Sequence, residues 1–363
     1  MTFLWMDGFE SDRTPAALQV RYEDISWVVE NPVGEEGRMG GYSFPFKTSD
    51  TFRTPPLNVS NNVAILGVGL WISDIVRASE TILLQVSVLT RTNQTQCALR
   101  VWAVAGTNRW KIGILEGATE VILPTEFDAE AWFFLEWKVN VHPVTGFWEL
   151  RVNNSVLASS ANVNMAGSFS VGWYRLTFTS FFGTLPLGEI HIDDLYILDG
   201  SAVFPNDFLG PGVVQSIYPL VDAEQNDWIP AYGGIPPSIP EPHALLVDDP
   251  IEPDDENTRL EDQSEEGDTE SIEVFEYSTL TRIRGAILGV QASLAIKQEL
   301  RQSKFISQGA FYLVGFWWGS HFTPPVSAGY NRAWAIAGYN IPLGYPWNTA
   351  TVKQSHFGFR REQ

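Results

Sequence analysis

Four carboxylates lie close together in EIHIDDLYILDG: Glu189, Asp193, Asp194 and Asp199. Glycoside hydrolysis needs two carboxyl groups flanking one bond, and clustered carboxylate oxygens also suit Ca²⁺. In a regular strand Glu189 and Asp193 would share a face and Asp194 would face the other way, so no third acid completes an alternating set along one cleft. We interpret Asp193, Asp194 and Asp199 as structural acceptors of backbone N–H groups where the strand meets its turns. A calcium site is the alternative.

Other sequence motifs of known chemistry are missing. The five histidines do not stand at zinc-site spacing, and HExxH, a GxSxG elbow, a P-loop and a complete GxGxxG are all absent. The GVG of Gly67–Gly69 runs into LWISD, which is typical of a strand. The single cysteine, Cys97, excludes an internal disulfide and is interpreted as a small buried apolar residue. The sequence therefore predicts no catalytic residue, no metal ligand, no cofactor and no enzymatic activity, and it assigns no binding residue.

The composition of the chain limits which kinds of molecule it can bind. The 363 residues carry a formal net charge of −20, and only 18% of them are charged. Phosphate backbones demand clustered Lys and Arg, so a nucleic acid is excluded and an anionic membrane is disfavoured. The N-terminus lacks the basic and long apolar regions of a signal peptide, and no apolar run is long enough to span a bilayer. We expect a chain that is made in a cytoplasm and leaves it without a signal peptide.

Short alternating strands dominate the N-terminal part of the chain. Examples are Ile82–Leu89, Cys97–Val104, Trp132–Val141 and Phe147–Asn154, which are separated by turns rich in Gly, Asn and Pro. One face of the third example is assigned to the core: Phe133, Leu135, Trp137, Val139 and Val141. This pattern predicts an antiparallel sandwich or barrel. A short helical turn is expected over Ala16–Val20, which lies outside the residues that the structure describes, or over Ser73–Ala78.

A change in sequence composition near residues 200–212 predicts two domains, 1–204 and 205–363. Residues 248–273 carry thirteen acidic residues against one basic residue, Arg259, which is typical of a solvated loop. Three further strand-like runs follow: SIEVFEYSTL, GAILGVQASLAI and GAFYLVGFWWGSHF. They predict a second β-sandwich domain with the acidic loop inside it.

The order of several motifs resembles that of tailed-bacteriophage virion proteins. EIHIDDLYILDG followed by PNDFLGPGVVQSIYPLVDAEQNDWIP resembles a stretch that recurs in that family, and DGFES and WFFLEWKVNVHPVTGFWELRVNNSVL resemble its opening strand and a hairpin. The end of the chain resembles the family's closing pattern at Trp347, Thr349, Val352, Phe357 and Gly358. The resemblance implies a concanavalin/laminin-G-like jelly roll followed by a second β-domain.

The same resemblance implies a non-enzymatic structural component of a phage virion, of the tail-fibre or adhesin type, that contacts host-surface carbohydrate. The alternatives are a capsid decoration protein, a carbohydrate-binding module or a polysaccharide-degrading enzyme. The expected partners are other virion proteins and further copies of the chain, as in three-fold fibres, with a host glycan as a further partner. The aromatic-rich segments Phe311–Trp318 and Tyr330–Trp347 are the candidate contacts.

Overall fold

The computed structural model describes residues 3–9, 23–26, 37–39, 42–46, 50–57, 59, 61–181, 189–201, 207–215, 219–226, 229–232, 258–261, 270–277, 287, 290–296, 306–313, 316–322, 331–337, 352 and 356–362. The chain divides into two compact units, Met1–Val214 (unit 1) and Gln215–Gln363 (unit 2). Every described element of three or more residues is a β-strand, which confirms the predicted all-β class. Within the described residues, no helix has the length and apolarity needed to cross a membrane.

Unit 1 contains strands β1 to β14 in the described residues. Their bounds are β1 (Phe3–Asp7), β2 (Glu23–Ser26), β3 (Phe44–Phe46), β4 (Thr51–Arg53), β5 (Val63–Ile72), β6 (Thr81–Leu89), β7 (Thr95–Ala103), β8 (Arg109–Glu116), β9 (Thr119–Asp128), β10 (Trp132–Asn140), β11 (Gly146–Val152), β12 (Ser155–Val163), β13 (Arg175–Ser180) and β14 (Ile190–Leu198). Sheet A has the order β1-β14-β5-β10-β11-β12, with β3 also paired to β14. Sheet B has the order β2-β4-β13-β6-β7-β8-β9. All pairings between these strands are antiparallel.

The core of unit 1 consists of the alternate side chains that the two sheets turn towards each other. Sheet B contributes Phe52 and Phe178, which are fully buried and whose rings stack with centroids 4.5 Å apart. Sheet A contributes Trp137 and Leu70, which are equally buried. Full burial of such a side chain stabilises the fold by about 1.5–3 kcal/mol, so this interlayer packing makes the unit a sandwich.

Strand β10 has the core face that its sequence predicts, but its opposite face is buried as well. Leu135, Trp137 and Val139 are buried on the core side. On the other side, Phe134 and Glu136 are 1% and 0% exposed. A strand whose two faces are both dry must be covered on its outer side. In unit 1 that cover comes from a chain segment beyond β14.

A β-bulge interrupts β14 at Asp194. Asp193 pairs with Gly69 of β5, whereas Tyr196 pairs with Gly67, so two residues of β14 oppose one residue of β5. Asp194 adopts the left-handed conformation, with φ of 51°, which Asp tolerates better than most residues. The bulge shifts the alternation of the strand by one residue.

The shift decides which side chains of β14 reach the outer face. Ile197 pairs with Leu66 and Ile192 with Leu70 of the same β5 face, so both isoleucines point into the core. Tyr196 lies on the outer face, which before the bulge carries the residues that alternate with Ile192. Strict alternation, as the sequence predicts it, would place Tyr196 on the face of Ile192, and this prediction is wrong because the bulge adds one unpaired residue.

The helical turn expected over Ser73–Ala78 is also wrong. This segment is irregular, and contacts to the loop after β7 fix it. The backbone N–H of Ile75 donates to Oδ1 of Asn108 at 3.0 Å, and Arg77 forms an isolated parallel bridge with Ala105. These nonlocal bonds satisfy the backbone groups that a helical turn would have paired locally.

Residues 207–214, the covering segment, lie across the outer face of sheet A. The N–H of Gly210 donates to Oε1 of Glu136 at 2.7 Å, and the N–H of Leu209 donates to the Tyr196 hydroxyl at 3.2 Å. The Arg151 guanidinium packs over the Phe208 ring, with its central carbon 4.1 Å from the ring centroid. Because these bonds tie the segment to sheet A, unit 1 extends beyond the predicted boundary at residue 204.

Unit 2 contains strands β15 to β23 in the described residues. Their bounds are β15 (Pro219–Asn226), β16 (Ile229–Tyr232), β17 (Thr258–Glu261), β18 (Glu270–Tyr277), β19 (Val290–Ile296), β20 (Ile306–Leu313), β21 (Phe316–Phe322), β22 (Asn331–Ala337) and β23 (His356–Glu362). Five form a sheet in the order β15-β18-β23-β20-β21, and β16-β17 and β19-β22 form two-stranded sheets. The run GAFYLVGFWWGSHF forms part of a hairpin, in which Phe311 pairs with Trp318.

Several sequence predictions for unit 2 lie outside the described residues. They concern most of the acidic segment 248–273, residues 338–347 of the second aromatic segment, and the closing-pattern residues Trp347 and Thr349. The side chains of Phe311–Trp318 also lie outside the described part of the chain. The candidate contacts between copies therefore stay predictions.

Candidate functional site

Asp193 and Asp194 surround the cation of Arg38 and fasten the covering segment. Asp193 accepts the backbone N–H of Arg38 at 2.9 Å and that of Asp194 at 2.7 Å. Asp194 accepts from Nε and Nη2 of Arg38, at 3.0 and 2.8 Å, and from the backbone N–H of Val214 at 2.7 Å. Arg38 Nη2 also donates to the carbonyl oxygen of Gly212. These bonds give the two aspartates a structural role.

Burial perturbs both carboxyl groups. Burial, followed by the charge of Asp194, raises the pKa of Asp193 to about 8. Burial also raises the pKa of Asp194, although the adjacent Arg38 guanidinium acts in the opposite direction. At neutral pH the pair therefore holds a proton beside its single cation, which avoids two uncompensated buried charges.

Asp199 shapes the turn that follows β14. Its Oδ1 accepts the backbone N–H of Ser201 at 2.9 Å and the Ser201 hydroxyl at 2.6 Å. This arrangement is the Asx-turn type in which an Asp side chain replaces a backbone acceptor. Within the described residues, no group of three or more His, Cys, Asp or Glu side chains is arranged to hold a metal ion.

A hydrogen-bonded Ser-His-Glu series, which the sequence reading missed, lies at the other end of β14. Ser43 Oγ is 3.0 Å from His191 Nδ1, and His191 Nε2 is 3.3 Å from Glu189 Oε2. Its form resembles that of a nucleophile, base and orienting acid. Ser43 and His191 are 3% and 1% exposed, however. A substrate carbonyl does not reach a buried hydroxyl, so we assign these residues to the structure.

The outer face of sheet A is closed elsewhere as well. The Tyr196 hydroxyl donates to Oε1 of Glu136 at 2.5 Å, beneath the covering segment. Burial and the adjacent Glu136 charge raise the pKa of Tyr196 far above its ordinary value. A phenol with a raised pKa stays protonated and cannot act as a base, and no ligand reaches it while residues 207–214 lie across it.

Sheet B differs because polar side chains line its outer face and remain half-exposed. Register and burial place the following half-exposed residues there: Thr51, Arg53, Gln85, Arg100, Trp102, Lys111, Glu120 and Thr179. A strand face exposed to water usually carries scattered polar groups with little mutual contact. Here the central groups hydrogen-bond across three strands, which indicates an ordered surface.

The hydrogen-bonded series runs from β6 through β7 to β9. Nε of Arg100 donates to Oε1 of Gln85 at 2.8 Å, and Nη1 of Arg100 donates to Oε2 of Glu120 at 2.9 Å. Gln85 Nε2 donates to Ser87 Oγ at 2.7 Å. Within the described residues, Nη2 of Arg100 has no protein acceptor, so its two N–H groups are available to a ligand oxygen.

Trp102 completes this arrangement, and Glu120 and Gly113 fix its position. The indole Nε1–H donates to Oε1 of Glu120 at 3.1 Å. A Cβ on Gly113 would lie 3.0 Å from the indole Nε1 and 3.0 Å from Glu120 Oε1, so a larger residue would require these groups to shift. We call Arg100, Glu120 and Trp102 the sheet B cluster. One carboxylate orients a guanidinium and a half-exposed indole on the same surface.

One sequence signal could have found this cluster. In CALRVWAV the alternate residues Ala98, Arg100 and Trp102 share the face opposite the core residues Leu99 and Val101. A Trp beside an Arg on the polar face of a strand is unusual, because a surface strand gains little from exposing an indole. The hydrogen bonds from Arg100 and Trp102 to Glu120 could not be predicted from the sequence, since they depend on the pairing of β8 with β9.

The chain matches solved structures but no protein family. No family model matches the chain, and no curated protein sequence matches it. Solved structures do match, among them an endo-β-1,4-glucuronan lyase from the fungus Trichoderma reesei, the alginate lyase Aly36B and an endo-1,3-β-glucanase from Streptomyces sioyaensis. At the low identities involved, this likeness assigns neither a family nor a function to the chain.

The extent of each match is similar. The glucuronan lyase is 8% identical with a TM-score of 0.35, and the match covers 52% of this chain and 93% of that one. The alginate lyase is 10% identical with a TM-score of 0.36, and the match covers 54% and 95%. The glucanase is 10% identical with a TM-score of 0.35, and the match covers 54% and 95%. About half of the present chain is therefore matched.

These comparisons contradict two predictions from the sequence. The chain was expected to be a structural component of a phage virion and not an enzyme, whereas the matched structures are polysaccharide lyases and a glucanase. The virion and tail-fibre assignments have no support in the comparisons, whereas the antiparallel β-sandwich is confirmed by the two sheets of unit 1. The order of short β-motifs reflects the fold, and one fold hosts many functions.

Proposed function

We propose that unit 1 recognises a polysaccharide chain along the outer face of sheet B. The sheet B cluster is the observation that carries this proposal. It combines a half-exposed indole, a guanidinium with two unused N–H groups, and a carboxylate that holds both in place.

A sugar ring fits such a surface for elementary reasons. Each ring has an apolar face of C–H groups and a rim of hydroxyl groups. The C–H face stacks on an aromatic ring with one apolar side and one wet side, as Trp102 provides. The hydroxyls exchange hydrogen bonds with Arg100 and Gln85, which lie side by side on neighbouring strands. The few placed polar groups beside an apolar platform are typical of ligand sites.

Preorganisation supports the same conclusion. Arg100 and Trp102 carry rotatable side chains whose ordering would cost entropy on binding. Their bonds to Glu120, at 2.9 and 3.1 Å, already fix them in the free protein. The part of sheet A around Glu136 and Tyr196 offers no comparable opportunity, because residues 207–214 cover it.

The experiment that tests this proposal compares tryptophan variants in binding to a panel of soluble polysaccharides. Trp102→Ala removes the stacking surface and should weaken binding at least about tenfold, equivalent to ~1.4 kcal/mol. Trp102→Phe keeps an aromatic ring and should retain most of the affinity. Trp132→Ala is the matched control, because Trp132 is also half-exposed but lies in sheet A.

Affinity electrophoresis and titration of tryptophan fluorescence would measure these effects, and product analysis of the same mixtures would show whether bound chains are cut. Loss of binding in Trp102→Ala with a normal Trp132→Ala supports the proposal. Failure of the wild-type protein to bind any member of the panel, or equal losses in the two alanine variants, would overturn it.

A further inference from the structure

We infer that the polysaccharide recognised by the sheet B cluster is uncharged. This inference rests on the proposed function and names its substrate class. It follows from the state of the cations on the outer face of sheet B. A uronate or sulfate chain needs cations that are free to pair with it, and the described cations of this face already have partners.

The cations near the cluster are paired with carboxylates of the protein. Arg100 Nη1 lies 2.9 Å from Glu120 Oε2, and Lys111 Nζ lies 2.5 Å from Glu80 Oε1. At the edge strands, Arg109 pairs with two carboxylates, those of Glu126 and Asp128, at 3.3 and 2.9 Å. Each positive charge is thus matched by at least one negative charge within the same surface.

The two remaining arginines of this face are also engaged. Arg53 Nε donates to Thr177 Oγ1 at 3.3 Å, and Arg53 has a further interaction. Arg175 is buried, with its guanidinium 4.9 Å from the Tyr174 ring centroid, and it also has a further interaction. Both guanidiniums are thus held by contacts within the protein.

Glu120 is the group that discriminates between the two classes of chain. Its side chain is 23% exposed and that of Arg100 is 20% exposed, so water screens their charges only in part. A ligand carboxylate that approaches Arg100 would also approach Glu120 and be repelled. A sugar hydroxyl can accept from Nη2 of Arg100 while the ion pair stays intact.

The rest of the face suits hydroxyl groups. Gln85 bonds to Ser87, and the Thr51 hydroxyl lies 3.4 Å from that of Thr179 on the adjacent strand. Hydroxyls and amides both donate and accept, so they can exchange bonds with sugar hydroxyls without a change of charge. The net charge of −20 adds a long-range repulsion against polyanions. Salt weakens this repulsion, because the Debye length is about 8 Å at physiological ionic strength.

The test compares one neutral β-glucan with one polyuronate of similar chain length, using the full chain at low and at moderate salt. We expect the glucan to bind with little dependence on salt, and the polyuronate to bind at least tenfold more weakly at low salt. Glu120→Gln removes the discriminating charge and should raise polyuronate binding relative to glucan binding. Glu126→Gln is the control, because it changes the same charge at the edge strand β9 without touching Arg100.

The outcomes separate the two proposals. Polyuronate binding that equals or exceeds glucan binding, and that weakens as salt is added, would overturn the inference and leave polysaccharide recognition standing. Absence of binding to both polymers would overturn the proposed function itself. An unchanged preference in Glu120→Gln, with normal folding by circular dichroism, would show that Glu120 does not discriminate and would contradict the inference.

Discussion

Arg38 and Asp194 form an ion pair between the N-terminal region and the bulge of β14. The guanidinium lies 4.8 Å above the Phe134 ring and covers Gly69, where a Cβ would meet Arg38 Cδ at 3.0 Å. Their side chains are 11% and 1% exposed. This pair and the Gly212 carbonyl hold the covering segment against sheet A. A residue that the sequence suggests for chemistry thus closes one face of the sandwich.

Removing the cation of this pair should strongly destabilise unit 1. Arg38→Met keeps much of the apolar volume but leaves Asp194 buried without its partner, which costs about 3–5 kcal/mol in comparable cases. Arg109→Met removes an exposed pair and should cost far less stability, because water screens exposed charges. Urea unfolding followed by tryptophan fluorescence measures both. Similar losses of unfolding free energy in the two variants would show that the buried ion pair stabilises the protein no more than the exposed pair does.

The stability of unit 1 should fall as pH rises through the titration of Asp193. The folded pKa of about 8 lies above the ordinary value of 3.8, so the folded state keeps a proton that the unfolded state releases. The contribution of this group is complete below about pH 4 and is lost as pH rises through about 8. Asp193→Asn has no such proton and should show a flatter dependence of unfolding free energy on pH.

Urea midpoints at pH 5 and pH 8.5 measure that dependence for the wild type and the variant. The absolute stability of Asp193→Asn should also be lower, because its amide nitrogen replaces one of the two oxygens that accept backbone N–H groups. The change between the two pH values is therefore the informative quantity. Equal changes in both proteins would contradict the assignment to Asp193.

Gly67 makes room for the ring of Tyr196. A Cβ at Gly67 would lie 2.1 Å from Cε1 of that ring, an overlap that the packed ring cannot relieve by a small shift. Gly67→Ala should therefore destabilise unit 1 by about 1–3 kcal/mol or more. Gly212→Ala is the control, since its nearest atom would be 3.8 Å away. Thermal unfolding of both variants tests this, and a stable Gly67→Ala protein would contradict the packing of Tyr196.

Cys97 should be inert in the folded protein. The residue is fully buried in β7, and burial raises the pKa of its thiol well above the ordinary value. Reaction with a thiol reagent requires an exposed thiolate. We expect alkylation of Cys97 to be at least about a hundredfold slower in native protein than in urea. Mass spectrometry of timed samples measures both rates. Rapid alkylation under native conditions would show that β7 opens readily.

Local pattern in the sequence predicted much of unit 1. The alternation in Trp132–Val141 gave the core face of β10, and the GVG of Gly67–Gly69 lies within β5, as its sequence indicated. The acceptor role inferred for Asp199 agrees with its bonds to Ser201. These features depend on period-two alternation and on turn chemistry, which act over a few residues.

What the sequence by itself determined is the all-β class, the positions of several strands of unit 1 and the core face of β10. The tertiary structure alone decided that a bulge at Asp194 carries Tyr196 to the outer face, that residues 207–214 close sheet A, and that Glu120 joins Arg100 to Trp102 on sheet B. The physical reason is range. Alternation is set by neighbouring residues, whereas covering a face or joining three strands depends on contacts between residues far apart in sequence, whose register no local pattern specifies.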